Sequence, residues 1–94
     1  MKLYKDKCLL YLTPLIEAVR REHERQVRKW GIQQRDAFEW LAYTIEELGE
    51  LANAISDHMY RQGPVERVIA EAIQVATLCL KIAEMFHYEA GDGE

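Results

Sequence analysis

Between residues 37 and 61, apolar side chains recur at three- and four-residue intervals: Leu41, Ile45, Leu48, Leu51, Ala52, Ile55 and Met59. This is the period of an amphipathic helix, and it predicts a helix over the whole segment. At its head Asp36 stands three residues before Glu39, a capping-box pattern in which each side chain satisfies a backbone N–H near the other residue. Gln62-Gly63-Pro64 stops this helix, and Pro64 opens another that continues from Val65 to about Tyr88. Upstream, Thr13-Pro14 offers a capping hydroxyl and a proline whose missing N–H is no loss at a helix start. A helix is therefore predicted over residues 14–30, ended by Gly31, with residues 31–37 as a loop. Its middle, EAVRREHERQVRKW, spaces acids and bases three and four apart, as a solvated face does. Two long helices joined by a tight turn lie antiparallel. The pattern thus predicts an all-α antiparallel bundle of three long helices, with residues 1–12 able to add a short N-terminal helix and the GDGE tail fraying.

Composition narrows this picture without changing it. A chain of 94 residues makes one domain, residues 1–94, and leaves no length for a second. Hydrophobic residues at 49% and charged residues at 30% are those of an ordinary globular chain, while only 5 Gly and 2 Pro disfavour turn-rich sandwiches and barrels. Twelve Lys and Arg against 16 Asp and Glu give a net charge of -4, which argues against a nucleic acid polymer as partner. No apolar run approaches the roughly 18 residues that span a bilayer, and the N-terminal run is too short for a secretory segment. A cytoplasmic protein without a membrane partner is expected. Cys8 and Cys79 show no metal or redox spacing and are expected as reduced thiols. His23, His58 and His87 are expected on exposed helix faces, and they lack the mutual spacing of a zinc site.

The chemistry lies on the last two helices. In VIAEAIQVATLCLKIA, residues 68–83, only Glu71, Gln74, Thr77 and Lys81 are polar. Glu71, Gln74 and Lys81 fall within an arc of about 80° on a helix otherwise apolar nearly all round. A buried Glu needs a partner, and a metal ion supplies one. The preceding helix carries Glu46-Glu47-Leu48-Gly49-Glu50, where three carboxylates crowd one turn and repel by a few tenths of a kcal/mol per pair. Gly49 adds a helix-interior cost of about 0.8–1 kcal/mol relative to Ala, while permitting close approach of a neighbour. Locally unfavourable choices of this kind mark functional sites. If Glu47 and Glu50 face Glu71 across the antiparallel turn, an acidic pocket results. Mg²⁺ suits it, as a hard cation that takes carboxylate oxygens, waters and substrate phosphates.

This arrangement resembles the MazG-like, all-alpha nucleoside triphosphate pyrophosphohydrolase superfamily, whose motif is EExxE followed by ExxD on the next helix. The first half is Glu46-Glu47-Leu48-Gly49-Glu50 and the second is Glu71-Ala72-Ile73-Gln74. Upstream, Glu24-Arg25-Gln26 through Lys29-Trp30-Gly31-Ile32-Gln33 is similar to the ER-x-x-Q-x-x-KWG-x-Q segment of bacterial and phage relatives. The resemblance covers residues 22–86. It implies hydrolysis of a (deoxy)nucleoside triphosphate between the alpha and beta phosphates, with Mg²⁺ as cofactor and Mn²⁺ as substitute, by a homodimer or homotetramer. It also implies that Glu47, Glu50 and Glu71 ligate metal and that Glu46 is a further ligand or orients the attacking water. Trp30 and Gln33 are then placed near the base, and Lys29 and Lys81 near phosphate. One position departs from the pattern, because Gln74 stands where the family has Asp. Its amide oxygen can coordinate a hard cation but brings no charge. Three readings stay open: an active enzyme with a carboxamide in the shell, one that uses Glu46 instead, and a degenerate module that binds nucleotide or a protein partner without hydrolysis.

Overall fold

The structure, a computed structural model, describes residues 7–92. Three helices follow in chain order: α1 Leu12–Trp30, α2 Ala37–Arg61 and α3 Val65–His87, closed by a wide turn over Tyr88–Asp92. Among the described residues there is no strand, and no helix is long and apolar enough to cross a membrane.

The bounds of α2 follow directly from its caps. Asp36 Oδ1 accepts from the backbone N–H of Glu39 at 2.9 Å, and the Asp36 N–H donates to Glu39 Oε1 at 3.4 Å, completing the capping box. At the other end Gln62, rather than Gly63, takes the left-handed conformation, with φ of 62°. The Gly63 N–H then donates back to Asp57 O at 2.8 Å. A Cβ on Gly63 would lie 3.0 Å from Asp57 Cβ, so the chain passes too close to its own helix for a larger residue.

The start of α1 differs from the sequence expectation. The helix begins two residues before Pro14, after Tyr11, which offers no side-chain cap. Thr13 and Pro14 sit inside the first turn, where a proline is tolerated because the missing N–H has no helical acceptor anyway. Residues 7–11 form a turn in which Leu10 N–H donates to Lys7 O and Leu9 has φ of 72°. The expected N-terminal helix is thus absent from residues 7–11, and its remainder lies outside the described residues, as does the end of the GDGE tail. Along α1, Arg20 pairs with Glu17 and Glu24, and Arg25 with Glu22, confirming a charged, solvated face.

Helix α3 is the shared wall of the fold. It packs along α2 and also along α1, whereas α1 and α2 do not pack on each other. Arg67 near the start of α3 reaches Asp57 near the end of α2 at 2.8 Å, so the two run antiparallel. On the other side Gln26 meets Gln74 and His23 meets Lys81 and Glu84, so α1 runs antiparallel to α3 as well. Among the described residues only Trp40, Ala54, Thr77 and Leu78 are buried, along the α2–α3 seam. The radius of gyration is 15.4 Å, against about 12 Å for a compact domain of this length. The three helices form an open, elongated antiparallel bundle, with extents of 47 × 27 × 23 Å.

The outer face of α2 carries Phe38, Leu41, Ile45, Leu48, Ala52, Ile55 and Met59, all exposed, at strict 3-4 heptad spacing. Cys8 and Cys79 are not bonded to one another.

Candidate functional site

A cavity of about 880 Å³ opens between the three elements that meet α3. Its walls are Glu46, Glu47 and Glu50 of α2, Glu71, Gln74 and Leu78 of α3, Gln26 and Trp30 of α1, Gln33 and Arg35 of the connecting loop, and Trp40 and Tyr43 of α2. Seven positions singled out in the sequence therefore come together: Glu46, Glu47, Glu50, Glu71, Gln74, Trp30 and Gln33. Lys29 and Lys81 do not. Lys29 folds over the outer side of the Trp30 ring, 4.8 Å from its centre, and Lys81 lines a second cavity.

Glu47 is the electrostatic centre of the first cavity. Burial raises the pKa of its carboxyl, and so do the negative charge of Glu71 beside it and the hydrogen bond that a protonated Glu47 gives Glu71, with Glu50 and Glu46 adding to the effect. One of its oxygens, Oε2, is buried and has no hydrogen-bond partner. A half-buried carboxylate facing another carboxylate across a helix seam is costly by itself, and both the repulsion and the orphaned oxygen are relieved by a cation. Glu47 and Glu71 thus fit a hard divalent ion. Among the described residues, no three His, Cys, Asp or Glu side chains stand grouped closely enough to hold a metal by themselves. Glu46 and Glu50 line the same wall but are exposed, and Glu50 points a carboxylate oxygen toward Arg67 at 3.5 Å. Further donors would be water and substrate phosphate, which Mg²⁺ ordinarily keeps. Gly49 faces open space, with nothing within 4 Å of an added Cβ, so the close approach expected there does not occur within one chain.

Gln74 is held by α1. Its side-chain oxygen accepts from Gln26 Nε2 at 3.2 Å, and Gln26 also donates to Glu22 Oε2 at 2.7 Å. Glu22 is pushed down to about 2, foremost by its hydrogen bond with Arg25 and further by Gln74 and Gln26. Gln74 therefore belongs to a polar seam between α1 and α3 at the edge of the carboxylate cavity.

Three site residues have no signal in the sequence. Arg35, a lone cation in the connecting loop, sits over both Tyr43 and Trp40, 5.1 and 5.8 Å from the ring centres, with its Nε buried and unpartnered. Trp40 and Tyr43 meet edge to face, with centroids 6.2 Å apart. Their one legible trait is aromaticity at i and i+3 on α2, which also suits core packing.

The second cavity, about 690 Å³, shares Gln26, Gln33, Arg35 and Trp40 with the first. Beyond them it is lined by His23, Val27, Ile32, Lys81, Glu84, Met85 and Tyr88, among others. His23 is not on an exposed face as expected. It is largely covered, with Nδ1 3.1 Å from Lys81 Nζ and Nε2 2.8 Å from Glu84 Oε1. Burial lowers the pKa of the Lys81 ammonium, with Glu84 and Glu22 acting in the opposite direction.

Compared with protein-family models, curated proteins and solved structures, the chain matches none. Its own residues carry the functional reading.

Proposed function

We propose that this chain is a Mg²⁺-dependent nucleoside triphosphate pyrophosphohydrolase of the MazG-like kind, releasing the (d)NMP and pyrophosphate and working as a homo-oligomer in the cytoplasm. The observation that carries the reading is Glu47, a carboxylate with a buried unpaired oxygen set against Glu71, in a cavity walled by aromatic rings. Glu47 and Glu71 would hold the ion, with Glu50 or Glu46 turning toward it as a further ligand. Bound there, Mg²⁺ would neutralise phosphate charge and ease the deprotonation of a water to the hydroxide that attacks phosphorus. The protein's own part is positional. Glu46, exposed at the rim, accepts a hydrogen bond from the attacking water and orients it. Arg35, which lies 3.7 Å from Glu39 Oε2 and is the one cation lining the cavity among the described residues, donates to phosphate oxygens as charge shifts onto the leaving pyrophosphate. Trp30 and Trp40 wall the side from which the nucleoside enters.

The exposed heptad stripe of α2 supports the oligomer. With four of the described residues buried and many large apolar side chains exposed, the single chain has poor support for independent folding at this length. A seam of three heptads is the pattern that pairs with another helix, and a second copy brings an identical seam in symmetric register.

The test is pyrophosphate release from ribo- and deoxynucleoside triphosphates with Mg²⁺ or Mn²⁺. Turnover lost in Glu47→Gln, by about 10²-fold or more, is expected. Metal- and nucleotide-dependent stabilisation without any turnover would replace hydrolysis with binding. That second reading has one specific support, since the Gln74 oxygen is already engaged by Gln26 and brings no charge to the site.

A further inference from the structure

Lys81 lies ten residues beyond Glu71 on α3, about 15 Å along the helix axis, so one phosphate group cannot meet both the carboxylates and this ammonium. Whatever Lys81 meets sits at the other end of a ligand whose phosphates are at Glu47 and Glu71. The surroundings define its chemistry. Val27, Ile32, Met85, Tyr88 and Trp40 make the second cavity largely apolar, which suits the faces of a flat ring. Glu84, joined to Lys81 through His23, sets a negative charge beside the ammonium and disfavours a second anion.

The hydrogen-bonding roles around Lys81 are fixed. An ammonium has three N–H donors and no acceptor, so His23 Nδ1 must be the acceptor and its Nε2–H donates to Glu84. Two Lys81 donors remain for a ligand. Gln33 and Gln34, which also line the cavity, can turn their amides either way and do not discriminate donors from acceptors, while the Nε2 of Gln26 is engaged by Glu22 and Gln74. Lys81 can only donate.

Resting on the nucleotide reading above, we propose that the second cavity receives the nucleobase and that Lys81 makes the site select bases carrying a carbonyl oxygen at the recognised edge. Guanine presents O6 and N7 there, and thymine or uracil O4; adenine shares N7 but sets an amino donor in place of O6, and cytosine sets one in place of O4. An amino group facing Lys81 leaves two donors opposed and both unpaired, which is the stronger source of rejection. His23 and Glu84 are positioning residues that hold the ammonium at the cavity wall.

The experiment is equilibrium binding with Mg²⁺ of α,β-methylene triphosphates of guanosine, uridine, adenosine and cytidine, with tripolyphosphate as a probe without a base. Guanosine and uridine analogues are expected to bind at least about tenfold more tightly than adenosine and cytidine analogues. Lys81→Met, with folding checked by circular dichroism, is expected to shrink that gap to within about threefold. Equal affinity for the four bases in the parent protein overturns the proposal without any variant, and so does a gap that survives Lys81→Met. Tripolyphosphate bound with no gain from any base removes the base site and leaves the metal–phosphate reading standing. Failure of tripolyphosphate and of every nucleotide to bind removes both.

Discussion

The Gln26 side chain on α1 donates to the Gln74 oxygen on α3 across 3.2 Å, fastening the two helices at the rim of the carboxylate cavity. An aspartate at position 74 still accepts that hydrogen bond but can no longer donate toward Glu22, and it adds a charge beside Glu71. Gln74→Asp is therefore expected to lower the stability of the metal-free protein by about 1–2 kcal/mol while tightening Mg²⁺ binding several-fold. Thermal unfolding with and without Mg²⁺, alongside titration calorimetry, reads both signs. A variant destabilised equally in both conditions would show that position 74 serves only the seam.

Glu47 makes an opposite prediction. Its folded-state pKa is raised, so between the ordinary carboxylate range and that higher value the native state binds more protons than the unfolded one. Stability of the metal-free protein is expected to fall as pH rises through this window and to recover on acidification. Glu47→Gln removes the charge, raises metal-free stability at neutral pH and flattens the dependence; it also abolishes stabilisation by Mg²⁺. Denaturant midpoints between pH 4.5 and 7.5 measure the effect, and a Glu47→Gln protein that still gains stability from Mg²⁺ would exclude Glu47 as a ligand.

Glu22 titrates in the other direction. Its carboxyl is held at about 2, foremost by Arg25, so its stabilisation is present above the ordinary carboxylate pKa and is lost as pH falls toward 2. Glu22→Gln is expected to cost about 1–2 kcal/mol at pH 7 and nothing at pH 2, because Gln74 and Gln26 lose a charged partner only where that partner is charged. Denaturant unfolding of parent and variant at pH 7 and pH 2, followed by circular dichroism, shows it.

The α2 stripe predicts assembly. Ile45 and Leu48 are exposed by 60% and 52% in the single chain. Ile45→Glu or Leu48→Glu places a charge in the middle of the seam and is expected to yield monomers in sedimentation velocity, while the parent protein sediments as a dimer or larger. A monomeric parent would leave the stripe as bare surface.

How much of this was legible in the sequence depended on whether a residue's role is set by near neighbours. The bounds of α2 were, because Asp36, Glu39, Gln62 and Gly63 act on their own backbone. The start of α1 was not, since Tyr11 offers no cap and the Thr13-Pro14 signal is equally comfortable within the first turn. Glu46, Glu47, Glu50 and Glu71 were legible from helical spacing, which places them on facing surfaces. Lys81 shared the angular sector of Glu71 but not its height along the axis, and an angle alone could not separate the two cavities. Arg35 reaches the site from the 31–36 loop and Trp40 from the start of α2, and their meeting with α1 and α3 is a long-range event without local periodicity. His23 was expected in water because its neighbours in sequence are charged, yet its partners Lys81 and Glu84 come from another helix.

Among the described residues α1 packs on α3 and not on α2, so its detachment needs no rupture of the α2–α3 hairpin. Opening of the binding surface and unfolding of the protein are then separate events with separate free energies, the first the smaller. Backbone amides of α1 should exchange with solvent deuterium earlier than those around Ala54 and Leu78. A ligand spanning from Trp30 to Glu47 would tie α1 to α2 beyond the 31–36 loop, so its arrival should slow α1 exchange most and convert a hinged bundle into one cooperative unit.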